Sequence, residues 1–316
     1  GNTAGFNNGT NKRRLELSYN GSTGVYDINR VEFPDFVVKG SGTDADPAEV
    51  YMAYYDGNSV DDQLKFRYGD IGTNDNNITG GIGTNLTNNN PGSAAGFQVM
   101  ADASSTYPGG QYVGIDATSG GVAVAVWYDA QNRQLVYSYN DNPGGASAAQ
   151  WQTNATVIDA GFAGWYADVT VDDSDGIHIA YYTSSAGDLK YAYLPAYNGS
   201  ATVVTVDSYL STGTRLMIET RDDGSGNEVP YITYFQPSFV STTNSVRVAW
   251  RTDFASLQDG ATSDFYTGSW EVMTVPTNNV PVDGPVSGAV PTAGTYGGSV
   301  FLSYYTDASY ERAYLK

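Results

Sequence analysis

The sequence contains no cysteine and a single histidine, His178. Without cysteine the chain can form neither disulfide bonds nor zinc–thiolate, iron–sulfur or c-type haem sites. One histidine likewise excludes metal sites built from several imidazoles and leaves a serine hydrolase with only one candidate base. The functions that remain depend on carboxylates, aromatic side chains and peptide groups.

Basic residues are also scarce, with 15 Lys and Arg against 34 Asp and Glu and a net charge of −19. Because phosphate binding depends on Lys and Arg, we expect no nucleic-acid partner, and an anionic membrane surface is equally disfavoured. The apolar runs are far shorter than the roughly 20 residues that span a bilayer, so we expect no membrane insertion. A hydrophobic content of 41% is sufficient for a folded core.

The composition of the loops indicates where the protein is found. They are rich in Asn, Gly, Ser and Thr, lysine is rare, and the sequence begins at Gly1 without a signal peptide. This combination is typical of mature secreted proteins of bacteria or archaea. We therefore expect an extracellular or cell-surface location, with the signal peptide already removed.

An internal repeat dominates the pattern of the sequence. Five segments carry an aromatic doublet inside an alternating run, at 51–57, 124–130, 178–184, 231–237 and 301–307. One alternating run precedes each doublet, another follows it, and most repeats end with a further run. Alternation of Tyr, Val and Ile predicts strands, and connectors of Asp, Gly, Ser and Asn predict hairpins. Four consecutive antiparallel strands form the blade of a β-propeller.

The predicted fold is therefore an all-β, single-domain propeller over residues 1–316, with five four-stranded antiparallel blades. The expected blades are 33–103, 111–160, 166–210, 215–276 and 287–316. Residues 1–32 contain two further runs, which would join the C-terminal blade and close the ring, leaving no exposed edge. Six blades are the alternative, if those N-terminal strands form a blade of their own.

One stretch resembles a propeller repeat of secreted and surface proteins of bacteria and archaea. Residues 151–194 combine a Trp-led outer strand ending in Val-Asp, an Asp-x-x-Gly turn, His-Ile-x-Tyr-Tyr and Gly-x-Leu-Lys-Tyr-Ala. The match is close over this blade and partial in the others. The resemblance implies the fold and an extracellular setting, but it implies no activity. Since the repeat itself has histidine at the position of His178, we expect a packing role for that residue.

An acidic turn in the same blade raises the question of a metal. Asp172, Asp173 and Asp175 precede Gly176, and oxygen ligands at alternate positions before a glycine are typical of calcium loops. The full calcium-loop motif with its glutamate at the twelfth position does not occur. Asp-Gly turns are also ordinary hairpin chemistry. We therefore expect no cofactor, and keep calcium at these three residues as the alternative.

A binding surface is expected on the face that carries the loops between blades and the loops joining second and third strands. Aromatic side chains beside carboxylates suit a protein contact or the stacking of a sugar. The candidates are Tyr107, Trp165, Tyr166, Tyr209, Phe239, Asp56 and Asp129. Trp165 and Tyr166 have a second interpretation, in which they only cover the gap between two blades.

The functional hypothesis drawn from these features is a non-catalytic extracellular propeller rather than an enzyme. It would bind another extracellular protein or a copy of itself, as a subunit of a surface appendage, sheath or adhesive assembly. A lectin-like propeller that binds a glycan is the alternative. It is less favoured because lectin propellers tend to repeat their sugar contacts in every blade, whereas these loops differ.

A glycoside hydrolase is the residual possibility. Five-bladed propellers include hydrolases that place carboxylates from several inner strands around the axis. Asp35 and Asp168 align on the predicted inner strands, Glu219 lies close to that register, and Tyr112 and a residue near Ser287 occupy the other positions. Two or three aligned carboxylates are near the chance expectation for a chain with 34 acidic residues, so the sequence alone does not favour catalysis.

Overall fold

The computed structural model describes a defined part of the chain. The described residues are 31–40, 48–56, 63–71, 98–102, 104–144, 149–208, 212–222, 228–236, 245–251, 270–274, 284–289, 301–305 and 313–315. The predicted N-terminal closing strands, Tyr209 and Phe239 lie outside them.

Within these residues the strands form five antiparallel sheets, each built from strands that pair in chain order. Blade 1 contains β1 (Val31–Lys39), β2 (Ala48–Asp56), β3 (Gln63–Ile71) and β4 (Gln98–Ala101). Blade 2 contains β5 (Gln111–Ala117), β6 (Ala123–Asp129), β7 (Gln134–Asn140) and β8 (Thr156–Asp159). Blade 3 contains β9 (Ala163–Val171), β10 (Ile177–Thr183), β11 (Asp188–Leu194) and β12 (Thr202–Asp207).

Blade 4 contains β13 (Thr214–Asp222), β14 (Glu228–Gln236), β15 (Ser245–Arg251) and β16 (Trp270–Thr274). Blade 5 contains β17 (Gly284–Ala289), β18 (Phe301–Tyr305) and β19 (Ala313–Leu315). The first strands touch one another from blade to blade, β1 against β5, β5 against β9, β9 against β13 and β13 against β17. They are therefore the innermost strands, and the five-bladed β-propeller predicted from the repeat is confirmed.

A short helix replaces the beginning of the outer strand in blade 2. Trp151, which we expected to open that strand, lies on α1 (Ala149–Thr153) and is fully buried. Its indole Nε1 donates to Gln98 Oε1 of blade 1 at 2.9 Å, and its ring packs against Phe66 of the same blade. The helix thus carries the Trp151 indole across the interface to blade 1.

Among the described residues, no helix has the length and apolar character needed to span a membrane.

The aromatic doublets form the packing between blades. The first member of each doublet in blades 1–4 is fully buried, as Tyr54, Trp127, Tyr181 and Tyr234. Neighbouring residues on a strand point to opposite faces, so the two members of a doublet serve different interfaces. Trp127 packs in one cluster with blade 1 residues such as Phe66, and Tyr181 packs with blade 2 residues such as Leu135. Alternation in the sequence thus becomes a series of apolar layers between blades.

Polar contacts reinforce these layers at the outer strands of blades 2 and 3. Asp159 at the end of β8 accepts a hydrogen bond from Tyr181 Oη at 2.9 Å and pairs with Lys190 Nζ at 2.7 Å. Asp207 at the end of β12 accepts from Tyr234 Oη at 2.7 Å and pairs with the Arg247 guanidinium at 2.7 Å. We call each set, a terminal aspartate with the tyrosine and cation of the next blade, a blade lock.

The interface between blades 1 and 2 replaces the lock with apolar groups. The strand register puts Ala101 at the position of the aspartate, Trp127 at that of the tyrosine and Val136 at that of the cation. All three are buried in one hydrophobic cluster. Well-packed apolar residues can replace a buried ion pair without loss of stability, whereas removal of one charged partner is strongly destabilising. At this interface the aspartate, the tyrosine and the cation of the blade lock are therefore all replaced by apolar residues.

We expect Asp207→Ala to lower the free energy of unfolding by about 3 kcal/mol, because it strands the partly buried Arg247 guanidinium and the Tyr234 hydroxyl. Urea denaturation of the full chain at neutral pH measures the loss. Asp102→Ala is the matched control, since among the described residues its carboxylate accepts hydrogen bonds from Ser104 and Ser105 of its own turn, and it should cost about 1 kcal/mol or less. Equal losses in the two variants would contradict the lock.

Candidate active site

Four inner strands share an irregularity at the same position. The pairing of β1, β5, β9 and β13 with their neighbours shifts by a β-bulge near the beginning of each strand. The residue at the bulge has a left-handed backbone in every case, with φ of 51° at Phe33, 53° at Tyr112, 54° at Tyr166 and 49° at Arg215. Bulges re-aim side chains and are enriched beside active sites. Trp165 and Tyr166, which we predicted in a loop, therefore lie inside β9.

The positions of the four bulges show that one strand was displaced in the predicted alignment of the inner strands. Two residues after the bulge residue stand Asp35, Gly114, Asp168 and Met217, so Asp35 and Asp168 are equivalent but Tyr112 is not. The predicted alignment placed Tyr112 at the position that the structure gives to Gly114, two residues further along β5. A Cβ at Gly114 would lie 2.9 Å from the Asp168 Cα, so the close approach of β5 to β9 excludes a side chain there.

The carboxylates of the inner strands bind peptide groups of the next blade. Asp35 Oδ2 accepts from the Ile115 N–H at 2.8 Å, and Asp168 Oδ2 accepts from the Ile218 N–H at 2.9 Å. Asp116 makes the corresponding contact from blade 2 to blade 3 with Val171 at 2.7 Å. We call Asp35, Asp116 and Asp168 the axial clips. Each satisfies a peptide N–H on the inner edge of a strand whose ladder partners all lie on its other side.

Two axial clips line a cavity of about 340 Å³. Besides Asp35 and Asp168, its wall includes all four bulge residues, Phe33, Tyr112, Tyr166 and Arg215. The aromatic rings among them form one cluster, because Tyr112 lies 4.7 Å from Phe33 and 4.7 Å from Tyr166 between ring centroids. We call this space the axial cavity, since residues from the inner strands of blades 1–4 meet in it.

Burial makes the cavity carboxylates unusually hard to ionise. It raises the pKa of Asp35 to about 6, against the lowering effect of the Ile115 and Phe36 N–H groups. It raises the pKa of Asp168 well above the ordinary range, and repulsion from the Asp35 carboxylate adds to that rise. Pairs of carboxylates whose pKa values are raised by desolvation and by each other are typical of acid–base sites.

Further charged side chains at the axis influence the pKa values of Asp35 and Asp168. Burial and the Asp116 carboxylate raise the pKa of Glu219 to about 7, while the Lys39 ammonium lowers it. Lys39 Nζ lies 2.8 Å from Asp116 Oδ1, which makes a cross-blade ion pair. Glu219 in turn raises the pKa of Asp168. Four carboxylates, one from each of blades 1–4, are thus electrostatically connected at the axis.

The other predicted binding aromatics have different surroundings. Tyr107 is partly buried and packs against the core between blades 1 and 2. Trp165 stacks on Tyr112 with ring centroids 5.9 Å apart and supports the aromatic cluster. Of the predicted aromatics that the structure describes, Tyr166 is the one in the cavity wall. Trp165 instead fits its alternative interpretation as a cover between blades.

Asp56 and Asp129 were predicted as binding residues, and the structure assigns them to hairpins instead. Asp56 is buried and pairs with Lys65 Nζ at 2.6 Å across β2 and β3. Asp129 is fully buried and accepts hydrogen bonds from the turn that follows β6, including the N–H groups of Gln131 and Asn132. A partner could reach these carboxylates only by breaking the contacts that hold the turns.

The predicted calcium ligands point in different directions. Asp172 accepts from the Gly176 N–H at 2.7 Å and from His178, whereas Asp175 binds Ser119 of blade 2 at 2.6 Å. Asp173 donates its N–H to Glu228 of blade 4. In the described part of the chain no three His, Asp or Glu side chains are grouped so as to hold a metal ion. The three aspartates are therefore occupied in contacts that join the acidic turn to blades 2, 3 and 4.

His178 has the packing role expected of it. It is fully buried, with Nε2 at 2.9 Å from Asp172 Oδ2 and Nδ1 at 2.6 Å from Tyr191 Oη. These contacts fix the turn before β10 to the third strand of the blade. Nothing in this arrangement opens toward the axial cavity, so the histidine is not a candidate base.

Comparison with known proteins gives a fold-level likeness. No protein-family model and no curated protein matches the chain. It is similar to an exo-β-1,3-galactanase from Clostridium thermocellum (11% identity, 91% of this chain and 57% of that chain, TM-score 0.46). It is also similar to an α-L-arabinanase from Penicillium chrysogenum complexed with arabinobiose (8% identity, 92% and 81%, TM-score 0.47). The chain spans little more than half the length of the galactanase. Identities this low show the fold alone.

The predictions of a non-catalytic subunit and of no enzymatic activity are contradicted. They rested on the view that the aligned carboxylates arise by chance. In the structure, Asp35 and Asp168 from two different blades line one cavity and have raised pKa values.

We expect Asp35→Asn to stabilise the protein at neutral pH. Because the folded-state pKa of Asp35 is about 6 against 3.8 ordinarily, ionisation disfavours the folded state, and stability falls as pH rises from about 4 to 6. The asparagine oxygen can still accept from Ile115 but does not ionise. The gain in unfolding free energy, measured by urea denaturation, should be roughly 1–2 kcal/mol at about pH 7 and less than half of that at about pH 4.5.

The exposed Asp173, outside the axial cavity, provides the control for this experiment. Asp173→Asn should give no comparable gain that depends on pH. A pH-independent difference between the wild-type chain and Asp35→Asn would show that burial does not perturb Asp35 in the way described.

Proposed function

We propose that this chain is a glycoside hydrolase that cleaves a polysaccharide in the axial cavity. The observation that carries the proposal is the pair of cavity carboxylates, Asp35 and Asp168, which come from blades 1 and 3 and both have raised pKa values. Hydrolysis of a glycosidic bond needs one protonated and one ionised carboxyl group on either side of that bond.

The two residues are assigned different roles. Asp168, whose pKa is raised well above the ordinary range by burial and by the Asp35 carboxylate, is assigned as the general acid that protonates the leaving oxygen. Asp35, with a pKa of about 6, is ionised at neutral pH and attacks the anomeric carbon directly or activates the water that does so. The C–O bond breaks, the departing sugar receives the proton of Asp168, and water supplies the new hydroxyl group.

The aromatic cluster supplies a surface for the sugar. Phe33, Tyr112 and Tyr166 stand beside the carboxylates and present apolar ring faces, which suit the C–H faces of a pyranose or furanose. Their backbone strain is consistent with a functional position, since left-handed non-glycine residues cluster at such sites. An extracellular location, proposed from the composition of the loops, fits a polymeric substrate that cells do not take up intact.

Asp168→Asn is expected to reduce kcat on the hydrolysed polysaccharide by at least about a hundredfold, because the amide cannot donate the proton. Asp35→Asn should have an effect of similar size. Screening the full chain for reducing ends released from a panel of plant, algal and microbial polysaccharides identifies the substrate and measures the rates. Circular dichroism and thermal melting verify the fold of each variant.

Asp173→Asn, on the exposed turn of the same blade as Asp168, is the matched control and should keep full activity. Release of sugar that persists in both Asp168→Asn and Asp35→Asn would place catalysis elsewhere. If the chain binds polysaccharides through the aromatic cluster but hydrolyses none of them, the lectin-like alternative replaces the hydrolase.

The pH dependence of kcat/KM is expected to be bell-shaped. Activity should rise as pH increases through about 6, where Asp35 ionises, and fall where Asp168, whose pKa is raised well above the ordinary range, loses its proton. Glu219→Gln removes a charge that raises the pKa of Asp168, so it should move the alkaline limb to lower pH. An alkaline limb that does not move in Glu219→Gln would contradict the electrostatic connection at the axis.

A further inference from the structure

Blade 1 carries the tyrosine and the cation of a blade lock. The strand register pairs Tyr54 with Lys65, and the same register pairs the tyrosine with the cation in the locks of blades 3 and 4. Both side chains are buried. In a lock the aspartate comes from the outer strand of the preceding blade. For blade 1, the preceding blade in the ring is blade 5.

The other interfaces show that the cation and the aspartate occur together. Where Ala101 replaces the aspartate of the outer strand, Val136 replaces the cation of the next blade. In blade 5 the register puts Tyr314 at the position of the cation. The sequence of the adjoining outer strand reads Thr-Val-Pro at 274–276, where β12 ends in Thr-Val-Asp at 205–207. A buried cation at this position thus indicates an aspartate on the adjoining outer strand.

The charges on one face of blade 1 lead to the same expectation. The register places Tyr54, Asp56, Lys65 and Arg67 on this face, and all four are buried. Asp56 pairs with Lys65 Nζ at 2.6 Å, and Arg67 Nε donates to Tyr54 Oη at 3.4 Å. The described part of the face therefore holds two buried cations and one carboxylate. Because unbalanced buried charge is costly, a second carboxylate is expected on the element that covers this face.

The sequence has a carboxylate at the matching place. Residues 25–27 read Val-Tyr-Asp, and β8 ends in Val-Ile-Asp at 157–159. Asp27 stands four residues before β1, as Asp159 stands four residues before β9. Among the described strands, the sheet of blade 5 ends at its third strand, β19. Asp27 itself lies outside the described residues.

We propose that residues 24–27 add the outer strand to blade 5 and that Asp27 closes the ring through a blade lock with Tyr54 and Lys65. The Tyr54 hydroxyl accepts from Arg67 and donates its own proton to the Asp27 carboxylate. The closing lock holds blade 1, which supplies part of the wall of the axial cavity, against blade 5. This inference goes beyond the proposed hydrolase and does not depend on it.

The test is a double-mutant cycle on the full chain, read by thermal melting. Asp27→Ala should lower the melting temperature by about 5–10 °C, because it removes the carboxylate from a buried charged set. Tyr54→Phe removes one hydroxyl partner of that carboxylate. The loss in the double variant should be smaller than the sum of the single losses by about 2 °C or more, since the two residues share one contact.

Asp102→Ala is the matched control, because Asp102 follows the lock position of Ala101 by one residue and accepts from serines of its own turn. Its loss should add to that of Tyr54→Phe. All variants are melted in concentrated sucrose, which favours folded states and keeps a destabilised variant measurable.

Coupled losses at Asp27 and Tyr54, with additive losses at Asp102 and Tyr54, support the closing lock. Additive losses at Asp27 and Tyr54, or an Asp27→Ala variant that melts like the wild-type chain, overturn it. Failure of Asp27→Ala to fold even in sucrose overturns it as well, because the loss then exceeds that of one lock. Coupling that occurs only at high protein concentration places the aspartate of a second copy on this face and refutes closure within one chain.

Discussion

The structure depends on how peptide groups at the centre of the ring find partners. Each inner strand pairs with only one neighbour in its own blade, so N–H groups on its other edge face the next blade. Such groups are costly to bury without a hydrogen bond. Asp35, Asp116 and Asp168 meet this need by accepting from the adjacent inner strand. The packing of blades around the axis therefore requires acceptors at the axis, and carboxylates are the ones this sequence uses.

This requirement brings together the groups that the proposed chemistry needs. A carboxylate placed at the axis to hold two blades is also desolvated and close to its counterparts in other blades, and both effects raise its pKa. Asp35 and Asp168 are thus contacts between blades and candidate catalytic groups for the same reason. Peptide hydrogen bonds fix their orientation in advance, which favours catalysis over a mobile side chain. The price is a repulsive pair that lowers stability wherever both groups ionise.

The repeat architecture could be predicted from the sequence because it depends on alternation, which has a simple period. The aromatic doublets, the five blades and the packing role of His178 follow from that period and from the repeat motif. The bulge at Tyr112 was not predicted, because it depends on how β5 pairs with its neighbouring strand. The alignment therefore placed Tyr112 where the structure has Gly114 and missed the regularity of the axial positions. Asp129 was misjudged because a turn acid and a surface acid look alike until their partners are known.

The same bulge explains how a repeated fold can hold a site that is not repeated. The backbone at this point is set by sheet pairing and recurs in four blades, whatever residue occupies it. Side chains two positions further on can then differ freely, as Asp35, Gly114, Asp168 and Met217 do. Gly114 gives β9 room to approach, and Met217 adds apolar wall, so two of the four positions shape the cavity and the other two supply its carboxylates. Asymmetry at the axis therefore needs no departure from the blade, only different residues on one recurring backbone.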